Sequence, residues 1–371
     1  MEKTDSNPPF SKKLLALFGL ATIFAVSSCN ITGNQGIDGD WLIPTNEVVD
    51  GGPGKDGIPS IDRPDFVDVS EAGFIPDERM VVGVRVGNEV RAYPHQVLDW
   101  HEIVNDEIDG KHVGIIFCPL TGTGQAWNRE VNGSVTELGV SGLLFRNNLI
   151  VYDRNTDSNW SQMQLRSVNG DLMGLNVETY PVVETNWATW KQIYPDTKVH
   201  STNTGFSRNY SAFTYGSDFS TNHNRILFPV QNDDNRLQRK VRVLGLIDSA
   251  IGDEDAVVKA YPINRFENGI EVVHDRVGSS DYVIVGSSSS DISAAFHNRL
   301  EDGTVVNEFT AIQDALPVVM EDTAGNRYDI FGYVVEGPDE GKKLEHARSY
   351  TGYWYAWADF FPNIEIYGDN D

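Results

Sequence analysis

The residues of this chain best suited to chemistry are Cys118 and His101. Cys118 ends an apolar run and directly precedes Pro119 and a glycine-rich loop. A thiol needs a nearby base or positive charge to ionise at neutral pH, and His101, one predicted helix and strand away, is the candidate base, with Glu102 or Asp106 available to orient it. The pair could instead be ligands of a soft metal such as copper or zinc. The sequence therefore predicts a small thiol or metal site.

Both residues also have a structural interpretation. Cys118 can be a small buried apolar residue, and His101 can satisfy a buried backbone carbonyl. Two ligands leave a zinc site incomplete, and the spacing of His95 and His112 fits no standard metal motif. We interpret His95 and His112 as surface histidines.

A second group of polar and aromatic side chains follows the Cys118 loop and could line a ligand pocket. Its members are Thr121, Thr123, Arg146, Asp153, Trp160 and Gln162. The alternative interpretation of the same segment is turn chemistry together with a buried Arg–Asp pair. Gly-x-Ser-x-Gly, His-Glu-x-x-His and Cys-x-x-Cys motifs are absent from the sequence.

Two parts of the chain resemble each other, and the reactive residues belong to only one of them. Alignment of the two parts places Gly269 or Ile270 opposite His101, and a serine run ending at Asp291 opposite the Cys118 loop. We interpret the residues shared by both parts as scaffold. The thiol and the imidazole, which only the first part contains, are the better functional candidates. The recurring residues are Gly83 with Gly245, Ala92-Tyr93-Pro94 with Ala260-Tyr261-Pro262, Trp187 with Trp354, Trp190 with Trp357, and Pro195 with Pro362.

Strand and turn signals dominate both parts. Residues 80–86 and 89–92 flank Gly87-Asn88 and predict a hairpin. Pro94 can start a short helix, and Thr185 or Asn186 can cap a second helix, which is predicted over 187–194. We predict a mainly β (α+β) fold of two tandem pseudo-symmetric repeats, each rich in antiparallel strands with a few short helices. The predicted divisions are a signal peptide (1–28), a flexible tether (29–62), a first repeat (63–200), a connecting segment or lid (201–239) and a second repeat (240–371).

The N-terminus indicates export and lipid attachment. Lys12 and Lys13 precede an apolar run from Leu14 to Val26, which is too short for a stable membrane span. Small residues and Cys29 follow, as in a bacterial lipobox, which implies lipid on Cys29 and a periplasmic or outer-membrane location in the bacterial cell envelope. The formal net charge of −25 argues against nucleic acid as a partner.

Several motifs together resemble the bacterial and archaeal domain of unknown function 3179 family over about residues 45–367. The family's activity is uncharacterised. It typically has a second cysteine where this chain has Thr121, which argues against a two-thiol redox or two-sulfur metal site here. The motifs are Gly51-Gly52-Pro53, Asp56-Gly57-Ile58-Pro59, Ala92-Tyr93-Pro94, Trp100 to Asp106, Cys118 to Thr123, Gly139 to Leu143 and Trp160-Ser161-Gln162.

Two functional hypotheses follow. The first is an envelope lipoprotein with thiol or metal chemistry at Cys118 and His101. The second is a non-catalytic envelope lipoprotein that binds a small molecule or a protein in a cleft between the repeats, lined by Arg146, Trp160 and residues 201–239. The sequence does not decide whether the protein is an enzyme.

Overall fold

The computed structural model describes residues 39–248 and 257–369. The predicted signal peptide and Cys29 lie outside these residues. Within the described ranges there are three helices of seven residues, each directly after a strand: α1 (His95–His101), α2 (Trp187–Ile193) and α3 (Trp354–Phe360). The side chain of Asn186 accepts a hydrogen bond from the backbone N–H of Thr189 at 2.9 Å and caps α2, as the sequence predicts.

Single 3-10 turns cover Thr45–Glu47, Val69–Glu71 and Ile263–Arg265. The other regular structure in the described ranges is β. The strands up to the connecting segment are β1 (Val48–Asp50), β2 (Phe66–Asp68), β3 (Met80–Val86), β4 (Glu89–Pro94), β5 (Ile103–Ile108), β6 (Lys111–Cys118), β7 (Thr123–Asn128), β8 (Glu130–Val131), β9 (Ser134–Val135), β10 (Leu138–Phe145), β11 (Asn148–Asp153), β12 (Asn159–Ser161), β13 (Arg166–Asn169), β14 (Thr179–Tyr180), β15 (Val182–Asn186) and β16 (Lys198–His200). The later strands are β17 (Arg242–Ile247), β18 (Val258–Pro262), β19 (Glu271–Val277), β20 (Ser280–Ser287), β21 (Ile292–Leu300), β22 (Phe309–Ala311), β23 (Val318–Asp322), β24 (Arg327–Asp329), β25 (Val334–Glu336), β26 (Leu344–His346), β27 (Ser349–Tyr353) and β28 (Glu365–Ile366).

The prediction of a mainly β fold with antiparallel sheets and a few short helices is confirmed. Strands β3 and β4 form the predicted hairpin, with Val86 opposite Glu89 and Gly87 at a φ of 56° in the turn. No helix in the described ranges combines the length and apolar character that a membrane crossing requires.

We call the residues before the connecting segment the first half and the residues from 240 onward the second half. Two sheets of the first half have counterparts with the same strand order in the second half. The order β15-β3-β4-β16 corresponds to β27-β17-β18-β28, and the order β14-β7-β6-β5 corresponds to β26-β21-β20-β19. In the first pair of sheets, β16 pairs with β4 and β28 pairs with β18 in parallel, whereas the other neighbours are antiparallel. Gene duplication would produce this correspondence, and duplication itself stays a prediction.

The recurring glycines and tryptophans form the same contact in both halves. A Cβ atom on Gly83 would lie 2.0 Å from the ring of Trp190, and one on Gly245 would lie 2.2 Å from the ring of Trp357. Both indoles are fully buried. The helix that follows β15 or β27 can therefore pack its tryptophan on the sheet only because the strand beneath it has no side chain at that point.

One of the hydrophobic clusters in the described residues is shared by the two halves. A single cluster contains Val81, Trp190 and Val199 of the first half together with Val283 and Phe331 of the second. At its edge, buried Asp329 pairs with Arg85 and accepts a hydrogen bond from the hydroxyl of Tyr194 at 2.9 Å. Charged and apolar contacts thus both cross between the halves.

Candidate ligand-binding cleft

His101 is fully buried, and both of its ring nitrogens already have partners. Nδ1 lies 2.8 Å from the carbonyl oxygen of Pro59, and Nε2 lies 2.8 Å from the hydroxyl oxygen of Tyr210. Burial lowers the pKa of His101 and favours the neutral ring. The imidazole therefore has no free nitrogen for a thiol or a metal, and the structural interpretation of His101 fits its contacts better.

Cys118 is also buried, at the end of β6. Its Sγ lies 3.8 Å from the carbonyl oxygen of Asn147, and burial together with the nearby Glu102 carboxyl raises the pKa of the thiol to about 11. A thiol with this pKa is protonated at neutral pH and is a weak nucleophile. In the described ranges, no group of three or more His, Cys, Asp or Glu side chains is placed to hold a metal ion. The described surroundings of Cys118 and His101 thus fit the structural interpretation of both residues better than the thiol or metal hypothesis.

Three residues of the predicted pocket lie together, but they form a buried network. The hydroxyl of Thr123 donates to Thr121 Oγ1 at 3.0 Å, and Asn148 Nδ2 lies 3.0 Å from Thr121 Oγ1 and 2.8 Å from Gln162 Oε1. Gln162 Nε2 in turn donates to the carbonyl oxygen of Thr123 at 2.9 Å. These side chains satisfy one another, so they hold the Cys118 loop to β11 and the chain beyond β12.

The other predicted pocket residues have structural partners elsewhere. Arg146 binds Glu47 Oε2 at 2.6 Å and the carbonyl oxygen of Asp359 at 2.7 Å. Asp153 accepts hydrogen bonds from the N–H of Thr156 at 2.8 Å and from Trp160 Nε1 at 3.2 Å. Turn chemistry therefore accounts for Asp153. The second hypothesis placed Arg146 and Trp160 in a cleft between the halves, but neither residue lines the cleft described below.

A cleft of about 410 Å³ does lie where the two halves and the connecting segment meet. We call it the Lys240 cleft. The connecting segment contributes part of its wall. Its lining includes Arg79, His95, Asp99, Phe117 and Glu184 from the first half, residues 213–217 and 219–221 from the connecting segment, and Lys240, Arg242 and Tyr353 from the second half.

Helix α1 presents His95 and Asp99 to the cleft, because residues four apart share one helical face. The ring of His95 packs on Phe117 with 4.2 Å between ring centroids, and its Nε2 lies 3.0 Å from Glu184 Oε2. Glu184 Oε1 accepts a hydrogen bond from the N–H of Gly124 at 3.1 Å. A Cβ atom on Gly124 would lie 2.8 Å from Glu184 Oε1, so this glycine gives the buried carboxylate its space.

Asp99 is an acid–base group in the cleft. Its carboxyl makes no hydrogen bond or ion pair with any residue that the structure describes. Burial raises the pKa of Asp99 to about 6, although His95 and Arg79 act in the opposite direction. The group therefore changes its protonation state close to physiological pH.

Lys240 is a buried cation in the cleft. Its Nζ donates a hydrogen bond to the carbonyl oxygen of Phe219 and lies 3.3 Å from the centroid of the Phe219 ring. Among the described residues it has no carboxylate partner. Burial, and then repulsion by Arg225, lowers the pKa of Lys240 to about 8, so the ammonium form still predominates at pH 7.

The Cys118 loop reaches the cleft through its backbone. Gly122 has a φ of 59°, and a Cβ atom there would lie 2.7 Å from the ring of Tyr353. The N–H of Tyr353 donates to the carbonyl oxygen of Thr121 at 2.8 Å. Arg242, which also lines the cleft, forms an ion pair with Asp291, the residue that aligns with the Cys118 loop. Each of the two aligned loops thus contacts a residue that lines the cleft.

Sequence reasoning missed the main residues of the cleft. The interpretation of His95 as a surface residue is corrected, because its side chain is only 16% exposed and faces Glu184. The i, i+4 spacing of His95 and Asp99 after Pro94 was an available signal. Glu184 and Lys240 carried no such signal, since only the fold brings them to α1.

Comparison with known proteins identifies a family but no characterised relative. Neither the curated proteins nor the solved structures contain a match to this chain. A family model matches residues 55–364. The chain therefore belongs to the family described as protein of unknown function DUF3179.

Proposed function

We propose that this protein binds a small organic anion in the Lys240 cleft. The observation that carries the proposal is the buried Lys240 ammonium, which has no carboxylate partner among the described residues and lines a cavity of about 410 Å³. Ligand sites typically have volumes of about 300–1,000 Å³. Burying a cation without an opposite charge is costly, and an anionic ligand would supply that charge.

Two further features support a ligand that also carries a hydroxyl or amino group. The carboxyl of Asp99 lines the same cleft and is free to accept or donate a hydrogen bond. Phe117 and Tyr215 add aromatic surface to its walls. A hydroxy or amino acid of a few carbon atoms offers the carboxylate, the polar group and the apolar stem that this arrangement suits.

Thiol or metal chemistry at Cys118 and His101 is not part of the proposal. His101 has its two ring nitrogens occupied, and the Cys118 thiol is buried and protonated at neutral pH. The second hypothesis from the sequence, a binding protein with a cleft between its halves, is the one that the geometry favours.

The cleft is tested by calorimetric titration of L-malate, L-serine and the neutral compound glycerol. We expect a carboxylate probe to bind the wild-type protein. Lys240→Met should lower the affinity for this probe by at least about 30-fold, since losing one partner of a buried charge pair costs about 2–5 kcal/mol. The matched control is Lys111→Met, which removes an exposed lysine and should leave the affinity unchanged. Equal affinities of wild type and Lys240→Met, or binding of glycerol alone, would contradict the proposal.

We also propose that the protein is an exported lipoprotein of the bacterial cell envelope, anchored through lipid on Cys29. Lys12 and Lys13, the apolar run to Val26 and the small residues before Cys29 support this. The ligand of the cleft would then be met outside the cytoplasm.

Metabolic labelling with radioactive palmitate in a bacterial host tests the anchor. The full-length chain should take up the label and fractionate with membranes, and Cys29→Ala should lose both properties. Cys118→Ala is the matched control because it removes the other cysteine and should keep the label. Labelling of Cys29→Ala at the wild-type level would refute lipidation at this residue.

A further inference from the structure

A second, smaller cavity of about 150 Å³ lies beside the Cys118 loop. Its walls are mainly aliphatic and include Leu120, Val140, Leu143 and Leu149. Glu102 is the one carboxylic acid among its lining residues. The cavity is distinct from the Lys240 cleft, although both are bounded by Tyr215.

Glu102 is an unfavourable residue for stability at this position. It follows the last residue of α1 with a φ of 56°, a conformation that favours glycine and strains other residues. Its side chain is buried, with the residue only 6% exposed. In the part of the chain that the structure describes, its carboxyl forms no hydrogen bond and no ion pair. Backbone strain and a largely buried carboxyl without a protein partner, both at one residue, are typical of functional positions.

The size and polarity of the cavity limit what it can hold. An apolar cavity of about 150 Å³ in another protein takes up benzene and stays free of water. Leu227, which also lines the Glu102 cavity, is 44% exposed, so the cavity is open to solvent and a ligand would displace water from mainly aliphatic walls. Its volume suits an organic molecule of about six to eight non-hydrogen atoms.

The carboxyl group selects the chemistry of that molecule. An isolated carboxylate in apolar surroundings is strongly disfavoured, so the group takes the neutral form, which has a single O–H donor. Burial, with the neighbouring Asp99 carboxyl, also raises the pKa of Glu102 to about 8. A ligand acceptor such as a ketone or ester oxygen would complete its hydrogen bonding.

We propose that the Glu102 cavity binds a small, mostly apolar molecule whose single hydrogen-bond acceptor receives the proton of the Glu102 carboxyl. This site goes beyond the anion-binding cleft and does not depend on it. An apolar ring or short chain fills the aliphatic end, and the oxygen of the ligand lies at Glu102.

Two probes of similar size and shape, cyclohexanone and methylcyclohexane, test the proposal with the full chain in ligand-observed NMR titrations at pH 6. Wild type should bind cyclohexanone at least tenfold more tightly than methylcyclohexane. Glu102→Gln keeps an N–H donor and nearly the same shape, so it should retain the preference. Glu102→Leu should bind both probes with similar affinity, because the donor is gone and the walls remain.

Leu143→Phe provides a second variant that does not touch the carboxyl. Leu143 is only partly buried, so the larger ring can be accommodated in the fold while it fills the cavity. It should weaken the binding of cyclohexanone at least tenfold. The circular dichroism spectrum of each variant establishes that it is folded.

Three results would overturn the proposal. The first is a wild-type protein that binds neither probe. The second is Glu102→Leu with an undiminished preference for cyclohexanone. The third is tighter binding of cyclohexylammonium than of cyclohexanone, which would show that Glu102 acts as a carboxylate toward a cation.

Discussion

Glu102→Gln should abolish a pronounced loss of stability that the wild-type protein shows as the pH rises from about 4.5 to about 8. The pKa of Glu102 is raised from 4.5 to about 8 by burial and by Asp99. Within this window the native state keeps the proton and the unfolded chain releases it, so the unfolding free energy falls by up to about 1.4 kcal/mol per pH unit. Above pH 8 both states are ionised and this contribution to the slope ends.

Urea unfolding of both proteins at intervals from pH 4 to pH 9 measures the effect. Between about pH 4.5 and about pH 8, the free energy of unfolding of the wild type should fall by several kcal/mol relative to that of Glu102→Gln. Asp99 should contribute a smaller fall of the unfolding free energy with pH, which ends near pH 6, where its raised pKa lies. Asp99→Asn should remove this fall. Glu340→Gln, at an exposed carboxyl, is the control. Parallel curves for wild type and Glu102→Gln would show that Glu102 is not protonated in the native state.

Gly83→Ala and Gly245→Ala should each destabilise the protein strongly. The added methyl group would lie 2.0 Å from the ring of Trp190 in one case and 2.2 Å from that of Trp357 in the other. Both rings are fully buried, so neither can move without displacing its close-packed neighbours. Overpacking of a core typically costs about 1–3 kcal/mol and occasionally more, and we expect the upper end of this range, with a fall in Tm of several degrees.

Differential scanning calorimetry compares these variants with Gly73→Ala, because a Cβ atom on Gly73 meets no atom within 4 Å. That control should stay within about 0.5 kcal/mol of wild type. Trp190→Leu in the Gly83→Ala background should cost less than the sum of the single changes, since a smaller side chain leaves room for the methyl group. Additive costs, or equal effects at Gly83 and Gly73, would mean that Trp190 does not pack on Gly83.

Local signals in the sequence were sufficient to predict much of the scaffold. The Gly87-Asn88 turn between two apolar runs predicts the β3–β4 hairpin, and Asn186 predicts the start of α2. Such features depend on residues a few positions apart, so their physics is contained in a short segment. The recurrence of Gly83 with Trp190 and of Gly245 with Trp357 also has a physical reason, because each pair is one packing contact.

The site was harder to predict because its contacts are long-range. His101 looked like a base for Cys118, yet its partners Pro59 and Tyr210 are 42 and 109 positions away in the chain. No short-range pattern shows where an imidazole on a predicted helix points. The residues that do face the cleft, such as Glu184 and Lys240, come from three separate parts of the chain and have no motif in common.

The contact between the Cys118 loop and the last helix has a consequence for biosynthesis. The carbonyl oxygen of Thr121 accepts the N–H of Tyr353 at 2.8 Å, and that of Leu120 accepts the hydroxyl of Tyr355 at 2.9 Å. These partners are synthesised more than two hundred residues after the loop. The ribosome must therefore synthesise nearly the whole polypeptide before the loop can form these contacts. If the chain is exported from its N-terminus onward, the first half emerges before its partners in the second half are present.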